Sequence, residues 1–330
     1  MIKKKHIIII QAAIIILLLF LVLRLNFKGS AAGNSKTIIE KKNSSGLLSP
    51  RVYAGLLTPR SLLVTNYAPL RKSLESFIND NNLTASIYVE NLRNGASMGI
   101  NEREGFPAAS LSKVPLSIII MRRIEDGEIS LDTYVPINSS VKTSTWGALF
   151  KTNEQKLPIR VLIEKMLKES DNTALNILRQ YSDLNDSSLV LSYVDYYSEE
   201  SIDTHDENNI ELVTVKSMYN VFSSLYLSTI LDSQDSEYIL SLLANSTFNI
   251  KYIAQLPDDV IVAHKFGARY IDNDKAFHDC GIIYRKEMRI FYCVMTKDLN
   301  YNYAIQVAGT VINKIYEYSL NARKTLDEYK

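Results

Sequence analysis

The sequence predicts an α+β domain of two lobes, in which an antiparallel sheet flanked by the terminal helices is joined to an all-helical lobe. Three observations carry this. Strand-like stretches are confined to residues 85–100 and 260–296. Apolar residues at helical spacing fill the interval between them, about residues 108–250. Amphipathic helical patterns stand at both ends, with Leu70, Leu74 and Phe77 near the start and residues 303–320 near the finish.

Composition sets the outer limits. The chain has 330 residues, 46% of them hydrophobic, enough for a substantial core. Its 37 basic and 36 acidic residues leave a net charge of +1. With no basic excess to neutralise phosphates, nucleic acid is excluded as the expected partner.

The chain opens with Met1-Ile2-Lys3-Lys4-Lys5 and then an apolar run from Ile7 to Leu23 broken only by Gln11. A basic n-region before a membrane-length segment predicts an uncleaved anchor over residues 1–28, with the lysines in the cytoplasm. Cleavage of a signal peptide after Ser30-Ala31-Ala32 is the alternative. In the anchored reading the protein is single-pass in the cell membrane and its domain is extracytoplasmic. Residues 29–66, rich in Ser, Asn, Lys and Gly without apolar period, read as a linker. The folded domain is expected over residues 67–330.

The first helix begins near Tyr67 and ends at Asn79-Asp80-Asn81-Asn82. Residues 85–92 and 96–100 follow as strands joined by a turn at Arg93-Asn94-Gly95. A buried helix starts at Ser110 and stops at Asp126-Gly127, where glycine takes the left-handed cap. Leu157-Pro158-Ile159-Arg160 opens another, ending in Glu169-Ser170-Asp171-Asn172-Thr173-Ala174 before helical packing resumes. Residues 183–209 are polar and predict an irregular loop. Helical spacing returns over residues 215–227 and 238–243. Strands are expected over residues 260–268, 279–284 and 289–296.

The two cysteines lie in the last two strands. A two-residue turn at Lys286-Glu287 sets Cys280 opposite Cys293 at a non-hydrogen-bonded pair, where Cα atoms approach to about 4.5 Å. That geometry permits a disulfide, and two buried free thiols are the alternative. The four histidines have no ligand spacing, so no metal and no cofactor are expected. Neither a glycine-rich phosphate loop nor a Gly-x-Ser-x-Gly elbow occurs.

Chemistry gathers at Ser110-Leu111-Ser112-Lys113, which precedes a run of apolar residues. A hydroxyl and an amine one helical turn apart are within reach of each other, and a helix N-terminus favours an oxyanion beside the hydroxyl. Lys113 acts as a base only with a lowered pKa, so burial or a second cation is required. Taken alone, Ser-x-x-Lys reads equally as a helix cap with a snorkelling lysine, and Ser139-Ser140-Val141-Lys142 repeats it in a loop. Ser170-Asp171-Asn172 has an ordinary reading as caps between helices, and a functional one at a cleft edge.

In order along the chain, Ser110-Leu111-Ser112-Lys113, Ser170-Asp171-Asn172 and His264-Lys265-Phe266-Gly267 resemble the Ser-x-x-Lys, Ser-Asp-Asn and Lys-Thr-Gly motifs of class A β-lactamases and related penicillin-binding serine enzymes. The similarity spans roughly residues 67–318. It implies a β-lactamase/transpeptidase-like fold with the site in the cleft between lobes. It also implies roles: Ser110 as acylated nucleophile, Lys113 as base or relay, Ser170 as proton shuttle and Lys265 as cationic neighbour. Asn172 would hold the substrate amide. Backbone N–H groups of Ser110 and Ala268 would form the oxyanion hole, with Gly267 leaving room for substrate. The implied substrate is a β-lactam or a peptidoglycan peptide, handled by a β-lactamase or a D,D-peptidase; a silent wall-binding domain is the third reading.

Two positions depart from the family pattern. Phe266 replaces the hydroxyl that helps bind the substrate carboxylate. The family's deacylating Glu, in a Glu-x-x-Leu-Asn pattern, has only Glu199-Glu200-Ser201-Ile202-Asp203 as an approximate match, with Glu207 as a looser candidate.

Overall fold

Strands from both ends of the chain meet in one sheet, and the alternation of side chains along them explains why helices cover both of its faces. The computed structural model describes residues 66–182, 211–271 and 274–328, all within the unit Ser45–Lys330. The chain runs through α1 (Ala68–Asp80), the hairpin β1 (Thr84–Asn91) and β2 (Ser97–Ile100), and a short strand β3 (Phe106–Pro107). A 3-10 turn over Ala109–Ser112 leads into α2 (Lys113–Glu125). The ribbon of β4 (Tyr134–Pro136) and β5 (Lys156–Pro158) precedes α3 (Ile159–Lys168) and α4 (Asn172–Ser182). β6 (Leu212–Val213) pairs back onto β3, followed by α5 (Val215–Leu227), α6 (Ser233–Ala244) and the single turn α7 (Ile250–Ile253). Then come β7 (Ile261–Ile271), β8 (Asp274–Arg285), β9 (Met288–Lys297) and the final helix α8 (Tyr301–Glu328).

The sheet order is β2-β1-β9-β8-β7, antiparallel throughout. Successive side chains point to opposite faces. Ile87, Val89, Val262, Phe266 and Val294 therefore join α1 and α8 in one core, while Tyr88, Ala263, Cys293 and Met295 join the helical lobe in another. Each fully buried aliphatic side chain contributes about 1.5–3 kcal/mol. α8 presents Ala304, Val307, Ala308, Val311, Ile312 and Ile315 to the sheet at helical spacing. α2 is buried along nearly its whole length, from Lys113 to Met121. Pro115 is accepted there because first-turn N–H groups have no acceptor within the helix, so the N–H that proline lacks is not missed, and Gly127 ends the helix at φ +76°.

This is the two-lobed α+β architecture expected, except that the lobe expected to be all-helical carries the β4–β5 ribbon and β6, strands too short to show an apolar alternation, and that element ends differ. Leu157 and Pro158 belong to β5, and α3 begins only at Ile159. Pro158 is extended (φ −70°, ψ 149°), and a residue before proline is turned away from helix. β7 runs on to Ile271 and β8 starts at Asp274, so this hairpin is longer than expected. Its outer end carries no apolar run; an Arg269–Asp274 ion pair holds it instead. α8 likewise outruns the expected residues 303–320. The anchor and most of the linker, the loop over residues 183–209, and Glu199 and Glu207 lie outside the described residues. No helix among those described is long and apolar enough to cross a membrane.

Arg285 pairs with Met288 across the last hairpin, so Lys286 and Glu287 form the turn and Cys280 faces Cys293 in the register expected. The two sulfurs are bonded, with Cα atoms 4.0 Å apart. Intact mass of the denatured protein should rise by about 2 Da on reduction. Replacing both cysteines by alanine should lower unfolding free energy by about 3 kcal/mol in urea titrations, the chain-entropy value for so short a loop. An unchanged mass refutes the bond.

Candidate active site

Lys113 opens α2 with its side chain wholly buried, and four oxygens surround its Nζ. Ser110 Oγ is at 2.9 Å, Ser170 O at 2.6 Å, Ser170 Oγ at 3.1 Å and Asn172 Oδ1 at 2.6 Å. The 3-10 turn before α2 brings Ser110 and Lys113 onto one side. Ser170 is nearly fully buried and takes φ +55°, rare for a residue with a Cβ. This backbone aims its carbonyl and hydroxyl at the same amine. Ala109, just before Ser110, is also left-handed at φ +46°. Such outliers survive where surrounding structure over-determines them, and they cluster at functional sites.

Asp171, between Ser170 and Asn172, accounts for the capping reading of that triplet. Its Oδ1 accepts from Ala174 N at 2.9 Å, closing the first turn of α4, and its Oδ2 accepts from Leu149 N at 2.8 Å. Asn172 faces the cleft: its Nδ2 donates to Thr145 Oγ1 at 2.8 Å, and its backbone N–H to Trp146 O at 3.0 Å. Ser170 and Asn172 thus meet Lys113 while Asp171 anchors them.

From β7, wholly buried Lys265 donates to Ser170 Oγ at 2.8 Å and to Phe266 O at 3.0 Å. Gly267 lets the strand approach the nucleophile turn, since a Cβ there would stand 3.3 Å from both Ser110 N and Ala109 Cβ. Behind the strand, His278 Nε2 lies 2.9 Å from Pro107 O, tying the segment before Ser110 to β8. Ser110, Asn172, Phe266 and Ala268 line one cleft of about 1020 Å³ between the helical lobe and β7. All seven expected residues therefore converge. Sequence reasoning missed Trp146, Arg179, Glu211 and Tyr270, which line the same cleft. Only the fold brings their separate segments together.

Burial is the first cause that lowers the Lys113 pKa, well below the ordinary lysine value, and the Lys265 charge is the second. Burial likewise lowers Lys265 to about 7, with Asp279 opposing it. A neutral Lys113 has two hydrogens and one lone pair. The Ser170 carbonyl and Asn172 Oδ1 only accept and are the two nearest partners, so they take both hydrogens. The lone pair is left for a hydroxyl proton, and Ser110 stands 2.9 Å away. The arrangement can accept a proton from Ser110 and pass one through Ser170.

The carboxylates Glu125, Asp232 and Asp235 lie close together away from this cleft. Two of them bind backbone N–H groups at the start of α6: Asp232 accepts from Gln234 N and Asp235 N, and Glu125 from Asp232 N.

The lowered Lys265 pKa links stability to pH. Between about 7 and 10.5 the unfolded chain holds a proton on this lysine that the folded chain lacks, so stability rises with pH. From pH 7 to pH 9 the parent should gain about 2 kcal/mol relative to Lys265→Met in urea titrations. Parallel pH dependence in the two proteins would show that Lys265 keeps an ordinary pKa.

Comparison with known proteins agrees with this geometry. A family model described as "Beta-lactamase enzyme family" matches residues 69–319. Beta-lactamase VEB-1 of Pseudomonas aeruginosa is 23% identical over 230 residues, covering 65% of this chain and 77% of its own. A beta-lactamase of Bacteroides uniformis is 24% identical over 249 residues, covering 68% and 81%. Among solved structures, TLA-3 extended-spectrum beta-lactamase aligns at TM-score 0.69 and 19% identity, covering 77% of this chain and 99% of that one. PBP-A aligns at 0.68 and 19%, covering 78% and 98%. With the matched region spanning most of its length, the chain belongs to the beta-lactamase enzyme family.

Proposed function

We propose that the protein is a serine acyl-hydrolase of the class A β-lactamase type, opening β-lactam amides through an acyl-enzyme on Ser110. The observation that carries this reading is the bridging of Ser110, Ser170 and Asn172 by one buried amine, with Lys265 on the far side of Ser170. Lys113 takes the Ser110 proton as Oγ attacks the amide carbon. The developing oxyanion is met by the backbone N–H groups of Ser110 and Ala268. As the C–N bond breaks, Ser170 gives its proton to the leaving nitrogen and recovers one from Lys113. Water then cleaves the ester and restores Ser110. In this reading the N-terminal segment tethers the domain outside the cell membrane.

A second reading, a penicillin-binding D,D-peptidase acting on peptidoglycan peptides, has its own support. Among the described residues, no carboxylate is hydrogen-bonded to Ser110, Lys113, Ser170 or Asn172. Glu211 lines the cleft, but its Oε2 faces Arg179 at 3.8 Å. A PBP-A variant has been captured as an acyl-enzyme complex with penicillin G. Slow deacylation follows when no carboxylate activates water, and the same nucleophile then serves a transpeptidase-like reaction.

A mass-spectrometric time course with benzylpenicillin tests both. Parent protein should form a Ser110 adduct, and Ser110→Ala should form none, with acylation reduced at least about 10³-fold. An adduct that clears in seconds with product accumulating identifies a β-lactamase; one lasting hours identifies the peptidase. Labelling of Ser110→Ala at the parental rate refutes both. The acylation rate should fall as pH is lowered, because Lys113, whose pKa is lowered by burial and by the Lys265 charge, must be neutral to take the Ser110 proton.

A further inference from the structure

The wall of the cleft beside Ser170 is aromatic. The Lys265 side chain links the two features: its Nζ donates to Ser170 Oγ and stands 4.3 Å from the centroid of the Phe266 ring. Phe266 is 3% exposed, stacked on Phe248 at 4.4 Å and met by Trp146 at 5.4 Å. Its ring fills the floor, and Trp146, 39% exposed, stands over it from the opposite lobe. Of the seven large hydrophobic side chains exposed among the described residues, Trp146, Tyr270 and Ile271 line this one cleft. Such a concentration marks a binding surface.

The two arginines that line the cleft already face carboxylates. Arg269 pairs with Asp274, and Arg179 faces Glu211 at 3.8 Å. The Lys265 amine is held by Ser170 Oγ and Phe266 O. A substrate carboxylate placed over the Phe266 ring would meet an aromatic face that donates no hydrogen bond, and would lose hydration there. An uncharged ring would gain edge or face contacts with Trp146 and Phe266.

We propose that the cleft selects acyl substrates whose leaving group is uncharged and aromatic, with Phe266 and Trp146 as the specificity-determining side chains. This rests on the acyl-transfer reading of Ser110 and ranks its substrates, so that a β-lactam with a carboxylate on its leaving side acylates more slowly than an uncharged aromatic acyl donor. In the reaction Ser110 Oγ bonds to the acyl carbon and the carbon–heteroatom bond breaks. The leaving amine or thiol departs with the proton that Ser170 supplies, and water later releases the acid.

Two thioesters of phenylacetic acid provide the kinetic test, one leaving as thiophenol and the other as 3-carboxythiophenol, each rate divided by that ester's hydroxide-catalysed rate. The parent should favour the thiophenol ester at least about tenfold in kcat/KM, and Phe266→Thr should bring the ratio near unity or invert it. Trp146 is the single tryptophan of the chain, so its fluorescence reads cleft occupancy directly. In Ser110→Ala, phenylacetanilide should bind at least about tenfold more tightly than 3-(phenylacetylamino)benzoate. Where Phe266→Thr does not fold, Trp146→Ser replaces it and should lose at least about fivefold of the kinetic preference. Equal or tighter handling of the carboxylated partner, or a ratio indifferent to both substitutions, overturns the proposal. Ester cleavage that survives in Ser110→Ala refutes the acyl-transfer reading instead, and the Trp146 titration still judges the cleft.

Discussion

The buried amine of Lys113 is the constraint on which the rest depends. An ammonium taken from water costs several kcal/mol unless fully paired, and the surroundings offer polar neutral oxygens rather than a carboxylate. Its pKa therefore falls well below the ordinary lysine value, and two fixed acceptors orient the amine. That orientation has structural costs. Ser170 adopts a left-handed backbone so that two of its oxygens reach one nitrogen, and Ala109 adopts another to bring the nucleophile turn alongside. Both strains are absorbed by neighbours with buried hydrogen bonds: Asp171 beneath Ser170 and the Pro107–His278 contact behind Ala109.

The site also joins the lobes. Lys113 belongs to the helical lobe and Lys265 to the sheet, and both reach the hydroxyl of Ser170. One serine thus reports the relative position of two layers that meet elsewhere through apolar packing and through polar contacts such as Lys216 to Tyr88 and Tyr219 to Glu90. A shift of β7 along its length would separate Lys265 from Ser170 and move Gly267 off the Ser110 backbone together. Register along β7 is strongly specified because both its faces are buried, and a one-residue slip would exchange them.

Much of this was legible in the sequence, and the parts that were not have identifiable causes. Strands buried on both faces read as apolar runs, which is how β7, β8 and β9 and the Cys280–Cys293 pairing could be placed. The three motifs located Ser110, Lys113, Ser170, Asn172 and Lys265 because each lies within a distinctive local pattern. Pro158 misled because its helix-start preference competes with the restriction it places on Leu157. The outer end of the β7–β8 hairpin was missed because ionic pairing has no periodicity. Trp146, Glu211 and Tyr270 were invisible for a different reason: they carry no motif, and only tertiary packing brings them to the cleft.

Why Lys265 loses so much of its basicity follows from the far face of β7. Asp279 lies opposite Phe266 in the register and is wholly buried, so an isolated carboxylate there would hold the neighbouring lysine charged. It is not isolated. His264 Nδ1 lies 2.9 Å from Asp279 Oδ2, and His264 Nε2 lies 3.0 Å from the Phe248 carbonyl, which only accepts. His264 thus bridges Asp279 and the Phe248 carbonyl. Tyr292 OH donates to the remaining Asp279 oxygen at 2.6 Å. Both carboxylate oxygens of Asp279 are thus engaged by side chains other than the lysine. Asp279 still opposes the shift at Lys265, but burial prevails. The strand that delivers the lysine to the cleft thereby carries, on its other face, the histidine that engages the one carboxylate opposing the lysine's shift.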